Sequence, residues 1–194
     1  MAEHILETAD RLFYRDGIRA VGVDTIAAEA GISKRTIYNH FRSKDALITA
    51  YLQRRVRPIP PSDAPTLEQI LGLFDRLERG FTRAGFRGCP FVNAVAELGE
   101  TRHPAHGVAR AFKEQRRLWF RDQVARLGIA GSDGLAMQLS VLLDGAIVTA
   151  LVCGDPAAAH AARDAARVLL ERAMARSPHR GGPQRSRAPK TLAR

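Results

Sequence analysis

Apolar residues recur at three- and four-residue spacing along almost the whole chain, and period-two alternation is nearly absent. That pattern predicts a protein built almost entirely of helices. Over residues 2–16, Ile5, Leu6, Ala9, Leu12 and Phe13 fall on one face, and Gly17 ends the helix. A short second helix is expected over Val23–Ala30, a turn at Gly31-Ile32-Ser33, and a third helix over Lys34–Phe41. Ser43 is a candidate N-cap for a fourth, from Lys44 to Arg57, which Pro58, Pro60 and Pro61 stop. Beyond this Pro-rich boundary the spacing predicts helices over Thr66–Thr82, Phe91–Gly99, Ala105–Leu127, Gly134–Cys153 and Ala157–Ala175. Ser132 or Asp133 should cap the eighth, and Pro156 should take the first helical position of the ninth. The expected fold is all-α, with about nine helices. A three-helix head (1–57, including a connecting helix) leads into a larger body (58–175), and 176–194 is a tail.

The head carries the most specific local pattern. Ala27 and Ala28 are small enough to let the third helix cross closely over the second, and Gly31 supplies a left-handed turn residue. Ile26, Ala30, Ile32, Ile37 and Phe41 are spaced to form a small core between the two helices, and Ser33 can cap the third. The outward residues of that third helix are Lys34, Arg35, Thr36, Tyr38, Asn39 and His40. No carboxylate occurs from Ile32 to Ser43, which suits a surface lying against phosphates. Lys34 or Arg35 is suited to guanine and Asn39 to adenine, while Thr36, Tyr38, His40 and Lys44 are better placed for phosphates. The plainer alternative is a helical hairpin with a polar face.

The run from Val23 through Leu47 resembles the head of the tetracycline-repressor (TetR) family. The resemblance rests on Ile26-Ala27, Gly31-Ile32-Ser33, Thr36-Ile37-Tyr38, His40-Phe41 and Ser43-Lys44-Asp45-Ala46-Leu47. It covers about the first 55 residues closely, and the rest only in helix number, lengths and order. It implies phosphate contacts from Thr36, Tyr38, His40 and Lys44, and base contacts from Lys34, Arg35 and Asn39. Gly22 departs from the family pattern: a Ser or Thr usual there would add a hydroxyl contact to phosphate.

Helix-turn-helix proteins commonly bind as dimers on half-sites about 34–36 Å apart. Leu139, Leu142, Leu143, Ala146, Ile147, Ala150 and Leu151 occupy more than one face of the eighth helix, which calls for burial on two sides. With Ala158, Ala162, Ala165, Ala166, Leu169 and Leu170 of the ninth they suggest a four-helix dimer interface, as the resemblance also implies. The alternative is an intrachain core. The middle helices offer linings for a small-molecule pocket in Phe74, Phe91, Asn93, Val95, Glu97, Phe112, Arg116, Trp119, Phe120 and Met137. The same residues would equally well fill a solid core. The family pattern favours a pocket, and with it a small apolar effector.

Composition changes this picture at three points. The net charge is +10, but residues 1–57 hold ten Lys/Arg against seven Asp/Glu, and 58–174 hold fourteen against thirteen. The excess sits in residues 175–194, six against none, a segment expected to be disordered and available for nonspecific phosphate contacts. Two cysteines, Cys89 and Cys153, make a disulfide framework unlikely to be the organising principle and point to a reducing cytoplasm. No leader-like N-terminus is apparent. The longest apolar run, Leu139–Cys153, is short for a membrane span and contains Asp144.

Catalytic signatures are missing: there is no nucleophile–base pairing, phosphate loop or paired-carboxylate pattern, so no enzyme and no cofactor is expected. His103 and His106, flanking Pro104, read as surface residues rather than metal ligands, and Cys89 as an inert buried thiol rather than an oxidant sensor. The expected function is a dimeric, ligand-responsive transcriptional regulator, a repressor, on double-stranded operator DNA. Its rivals are an architectural, nonspecific DNA binder and a TetR-like activator without a small ligand.

Overall fold

The computed structural model describes residues 1–99 and 102–177. The predicted basic tail lies outside the described residues from 178 onward. Among the described residues there are nine helices and no strand: α1 (Ala2–Asp16), α2 (Val23–Glu29), α3 (Lys34–His40), α4 (Lys44–Arg55), α5 (Thr66–Phe81), α6 (Pro90–Leu98), α7 (Pro104–Arg126), α8 (Ser132–Cys153) and α9 (Ala158–Arg176).

Helix ends follow local chemistry. Gly17 closes α1 at φ 95, and Gly31 turns the chain between α2 and α3 at φ 65, a region where a side chain would be strained. Ser33 and Ser43 cap α3 and α4 as expected, each hydroxyl accepting from the amide three residues on at 3.1 Å. Two caps differ from expectation. The left-handed Gly131 caps α8, so the helix begins at Ser132. The cap of α9 is Ala157, whose amide donates to the Asp155 carboxylate at 2.8 Å, so Pro156 stays in the turn.

Two hydrophobic cores hold the helices together. The first joins Ile5, Leu12, Phe13, Ile26, Ile37, Leu47 and Tyr51 of the head to Phe91, Ala94, Ala105, Ala109 and Phe112 of α6 and α7. The second joins Ile70, Leu71 and Phe74 of α5 to Phe120, Val124, Leu139, Leu143, Ala166 and Leu170. The head therefore rests on the body through continuous apolar packing.

The α8 helix is longer than the apolar run that suggested it. By length and composition its 22 residues could cross a membrane, contrary to the shorter estimate from the sequence. Here one face packs between α7 and α9 through Leu135, Leu139 and Leu143, and Asp144 is paired with Lys113 at 2.5 Å.

Candidate nucleic-acid interface and body cavity

Helix α3 is positioned by its buried Ile37 and by the Ser33 cap. Its other side is open: Lys34, Arg35, Tyr38, Asn39 and His40 are exposed, Tyr38 to 44% despite its large ring. Arg35, Tyr38, Asn39 and His40 have no side-chain hydrogen bond among the described residues. Their donors and acceptors are free for an external partner. Two residues of the predicted set are already engaged. Lys34 Nζ lies 3.0 Å from the Asp24 carboxylate of α2, which raises its pKa through that hydrogen bond and charge. The Thr36 hydroxyl lies 2.8 Å from that of Ser33. Asp24 thus supplies from a neighbouring helix the carboxylate that the run Ile32–Ser43 lacks. Lys44, at the start of α4, is partly buried, and desolvation lowers its pKa. Arg42, in the turn before α4, is exposed next to this surface and was not singled out from the sequence.

The head is tied to the body through polar contacts as well. Glu97, at the end of α6, accepts from the Arg19 amide at 2.9 Å. The Tyr14 hydroxyl donates to the Gly88 carbonyl and accepts from the Arg87 amide, both at 3.0 Å. The His103 side chain is only 8% exposed, against expectation: its Nδ1 caps α7 and its Nε2 lies 3.3 Å from Asp45 of α4. No metal-binding group of His, Cys, Asp and Glu occurs among the described residues.

A cavity of about 640 Å³ lies where the end of α4 meets α5, α6 and α7. Phe91, Phe112 and Arg116 of the predicted set line it, together with Leu77, Phe81, Phe86 and Cys89, which the sequence did not single out for this role. Trp119 lines a neighbouring cleft of about 150 Å³ that also contains Phe112 and Arg116. Val95 borders a separate groove between α6 and α7.

Five predicted pocket residues lie elsewhere. Phe74 and Phe120 are fully buried in the second core, their ring centroids 6.5 Å apart. Asn93 donates to the Arg87 carbonyl at 2.6 Å and so braces the loop before α6. Glu97 faces the head. Met137, 52% exposed, borders a separate groove of about 320 Å³ between α7 and α8 that also contains Arg116.

The predicted dimer residues also need correction. Leu139, Leu143, Ala146, Ile147, Ala150, Ala162 and Ala166 are buried inside the chain itself. Leu142 and Leu169 are half-buried. The apolar surface that α8 and α9 turn outward keeps Leu151 of the predicted set and otherwise consists of Met137, Val141, Val148, Val152 and Val168, all at least 42% exposed. Because α8 is apolar on every side, its composition could not distinguish the inward face from the outward one.

The fold and the exposed third helix define a helix-turn-helix, DNA-binding transcriptional regulator. Residues 5–51 match the family model described as bacterial regulatory proteins, tetR family. A crystal structure from Streptomyces avermitilis, described as a TetR transcriptional regulator, is 35% identical, covers 89% of this chain and 97% of its own, and superposes with a TM-score of 0.80. A TetR-family transcriptional regulator from Streptomyces coelicolor is 31% identical over 89% and 95% of the two chains, with a TM-score of 0.82. The chain belongs to the TetR family.

Curated relatives match mainly over the head. The transcriptional repressor KstR2 of Mycobacterium tuberculosis is 38% identical over 77 residues, 36% of this chain and 38% of that protein. The transcriptional activator FasR of Mycolicibacterium smegmatis is 46% identical over 52 residues, 27% and 24% of the two. An uncharacterized HTH-type transcriptional regulator of M. tuberculosis is matched over only 28% of its length.

Proposed function

We propose that this regulator is a ligand-responsive repressor that binds a roughly palindromic operator as a homodimer in the cytoplasm, with no catalytic activity of its own. The observation that carries the reading is the outer face of α3, where Arg35, Tyr38, Asn39 and His40 stand exposed without intramolecular partners among the described residues. In this reading α3 enters the major groove. Arg35 and Asn39 read base edges, and Tyr38, His40, Thr36 and Lys44 grip phosphates. Lys34 either exchanges Asp24 for a guanine or stays as a brace between the two helices.

One such helix is too short to specify a site, so a second copy is required. The outward apolar surface of α8 and α9 supports pairing there, with Leu142 and Leu169 at its margin and the buried leucines and alanines behind it holding it in shape. A small molecule in the cavity at the end of α4 then shifts the head. It does so only to the extent that it binds one arrangement of α4 more tightly than the other.

The test starts by selecting bound DNA from a random pool with the full chain. The Arg35→Ala and Tyr38→Ala proteins are then titrated against the selected site. Each should lose about tenfold or more in specific affinity, the size of a lost base or phosphate contact. Unchanged specific affinity in both variants refutes the assignment of α3.

A further inference from the structure

We infer that the cavity at the end of α4 takes an amphipathic organic acid: a small molecule with an apolar, ring-sized body and a carboxylate head held by Arg116. This deepens the reading given above and rests on it in one respect, that this cavity is where the effector binds.

The charge around the cavity is one-sided. Arg54, Arg55, Arg57, Arg76, Arg83 and Arg116 all line it, and the single acid in the lining is Asp10. That acid is spent, because both of its oxygens accept from Arg55, at 2.5 and 2.8 Å. Arg54 is held by Glu3 and Glu7. Arg57 donates to the Arg54 carbonyl. Arg76, Arg83 and Arg116 have neither a salt bridge nor a side-chain hydrogen bond among the described residues. A cavity with this lining attracts anions.

Arg116 is the member built into the site. Its guanidinium carbon lies over the Phe112 ring, 4.5 Å from the centroid, and Phe112 stacks on Phe91 with centroids 3.9 Å apart and planes 14° from parallel. The contact with the ring spends none of its N–H donors on a hydrogen bond, and a planar guanidinium with free donors receives a carboxylate in a two-pronged pair. Burial disfavours its charge, and Cys89 and Asp144 only partly offset this. Asp144 is itself bonded to Lys113. A desolvated cation without a bonded acid is costly to maintain, and a bound anion relieves that cost.

The remaining walls set the rest of the ligand. Leu77, Phe81, Phe86, Phe91, Phe112 and Ile147 are apolar, and about 640 Å³ is ordinary for a small-molecule site. The apolar effector expected from the sequence therefore describes the body of the ligand and omits its head. A neutral molecule of the same shape would leave the guanidinium desolvated and unmatched, which is the basis for discrimination.

The experiment uses the full chain without DNA, with calorimetry and the fluorescence of Trp119, which shares a cleft with Arg116. The probes are benzoate, 2-naphthoate and decanoate, each against its neutral amide, with inorganic phosphate as a head without a body. At least one acid should bind more tightly than its amide by about tenfold or more. The Arg116→Gln protein should lose that preference while binding the amide as before, and Arg116→Lys should recover part of it.

Three results overturn the inference: equal binding of every acid and its amide, an unchanged preference in Arg116→Gln, or phosphate alone matching the acids. Failure of all three acids to bind below about 1 mM overturns it too. The wild-type comparison of acid with amide needs no variant, so a folding defect in Arg116→Gln does not obscure the answer. Binding without release of the selected operator would count against the regulatory reading and leave this inference standing.

Discussion

The Asp10–Arg55 pair joins α1 to α4, and its removal has a calculable effect. Both Arg55 contacts are short, and its guanidinium also sits 4.4 Å above the Tyr14 ring and 5.5 Å from that of Tyr51. Burial works against the charge of Arg55, but the hydrogen bond and charge of Asp10 outweigh it, so its pKa lies above the ordinary value. The side chains are 28% and 21% exposed, between the surface and interior cases. Exposed pairs contribute about 0–1 kcal/mol, and breaking a fully buried pair costs about 3–5.

Asp10→Asn keeps one acceptor, removes the charge, and sets an amide donor against a guanidinium donor. The expected cost is about 2 kcal/mol, close to one charge-assisted hydrogen bond. In urea this should lower the midpoint by about 1 M at an ordinary slope, and the melting temperature by about 4–8 °C. Protomer concentration must be fixed, because association shifts both readings. The control is Glu29→Gln, which removes the Arg11–Glu29 pair at 49% and 45% exposure and should cost under about 0.5 kcal/mol. If the two substitutions cost the same, or Asp10→Asn costs less than about 0.5 kcal/mol, burial does not govern this tether and the reasoning is wrong.

Three further outcomes are expected. Phe74→Ala, at a fully buried position, should cost about 3–5 kcal/mol in urea unfolding, and a loss near 1 would mean the second core collapses around the gap. Gly17→Ala should destabilise by about 1–3 kcal/mol, since φ is +95 and the new Cβ would meet the Glu97 carboxylate at 2.9 Å; adding Glu97→Ala should relieve the clash but not the backbone strain, and full recovery would show that φ was never the problem. Val148→Asp, half exposed on α8, should leave the helical content intact and shift the sedimenting species from dimer to monomer, whereas an unaltered dimer excludes this face as the interface.

What could be read from the sequence was whatever depends on near neighbours. Helices follow from spacing, and caps from single residues such as Ser33 and Ser43. The head was legible because its motif is contiguous and its polar face is one short helix. The cavity was not, because its walls come from α4, α5, α6 and α7, and a phenylalanine in a wall has the same local pattern as one in a core. Phe74 and Phe120 went one way, and Phe91 and Phe112 the other. Charge counting misled for a related reason. Residues 1–57 and 58–174 each look nearly balanced, yet six arginines from both gather around one cavity whose lining holds a single acid, Asp10. His103 looked like a surface residue and Glu97 like a pocket lining because their partners, Asp45 and the Arg19 amide, are remote in sequence.

The same arginines suggest how the cavity and the head are coupled. Helix α4 has 12 residues, about 18 Å of rise, and serves two structures at once. Leu47, Ile48, Tyr51 and Leu52 belong to the first core, while Arg54 and Arg55 line the cavity and hold α1 through Glu3, Glu7 and Asp10. In the proposed reading the ligand carboxylate sits on Arg116 and brings its negative charge into the cavity that Arg54 and Arg55 also line. Such a ligand would act on the head only to the extent that one arrangement of α4 presents the Arg116–carboxylate pair better than the other. Reversing a two-state equilibrium from 1:99 to 99:1 takes about 5.5 kcal/mol of differential binding. The two prongs of an Arg116–carboxylate pair, about 1.5–3 kcal/mol each and made in one arrangement only, are of that size. An apolar ligand of the same volume touches the same walls but cannot pair with Arg116, so in this reading it should fill the cavity without reversing the equilibrium.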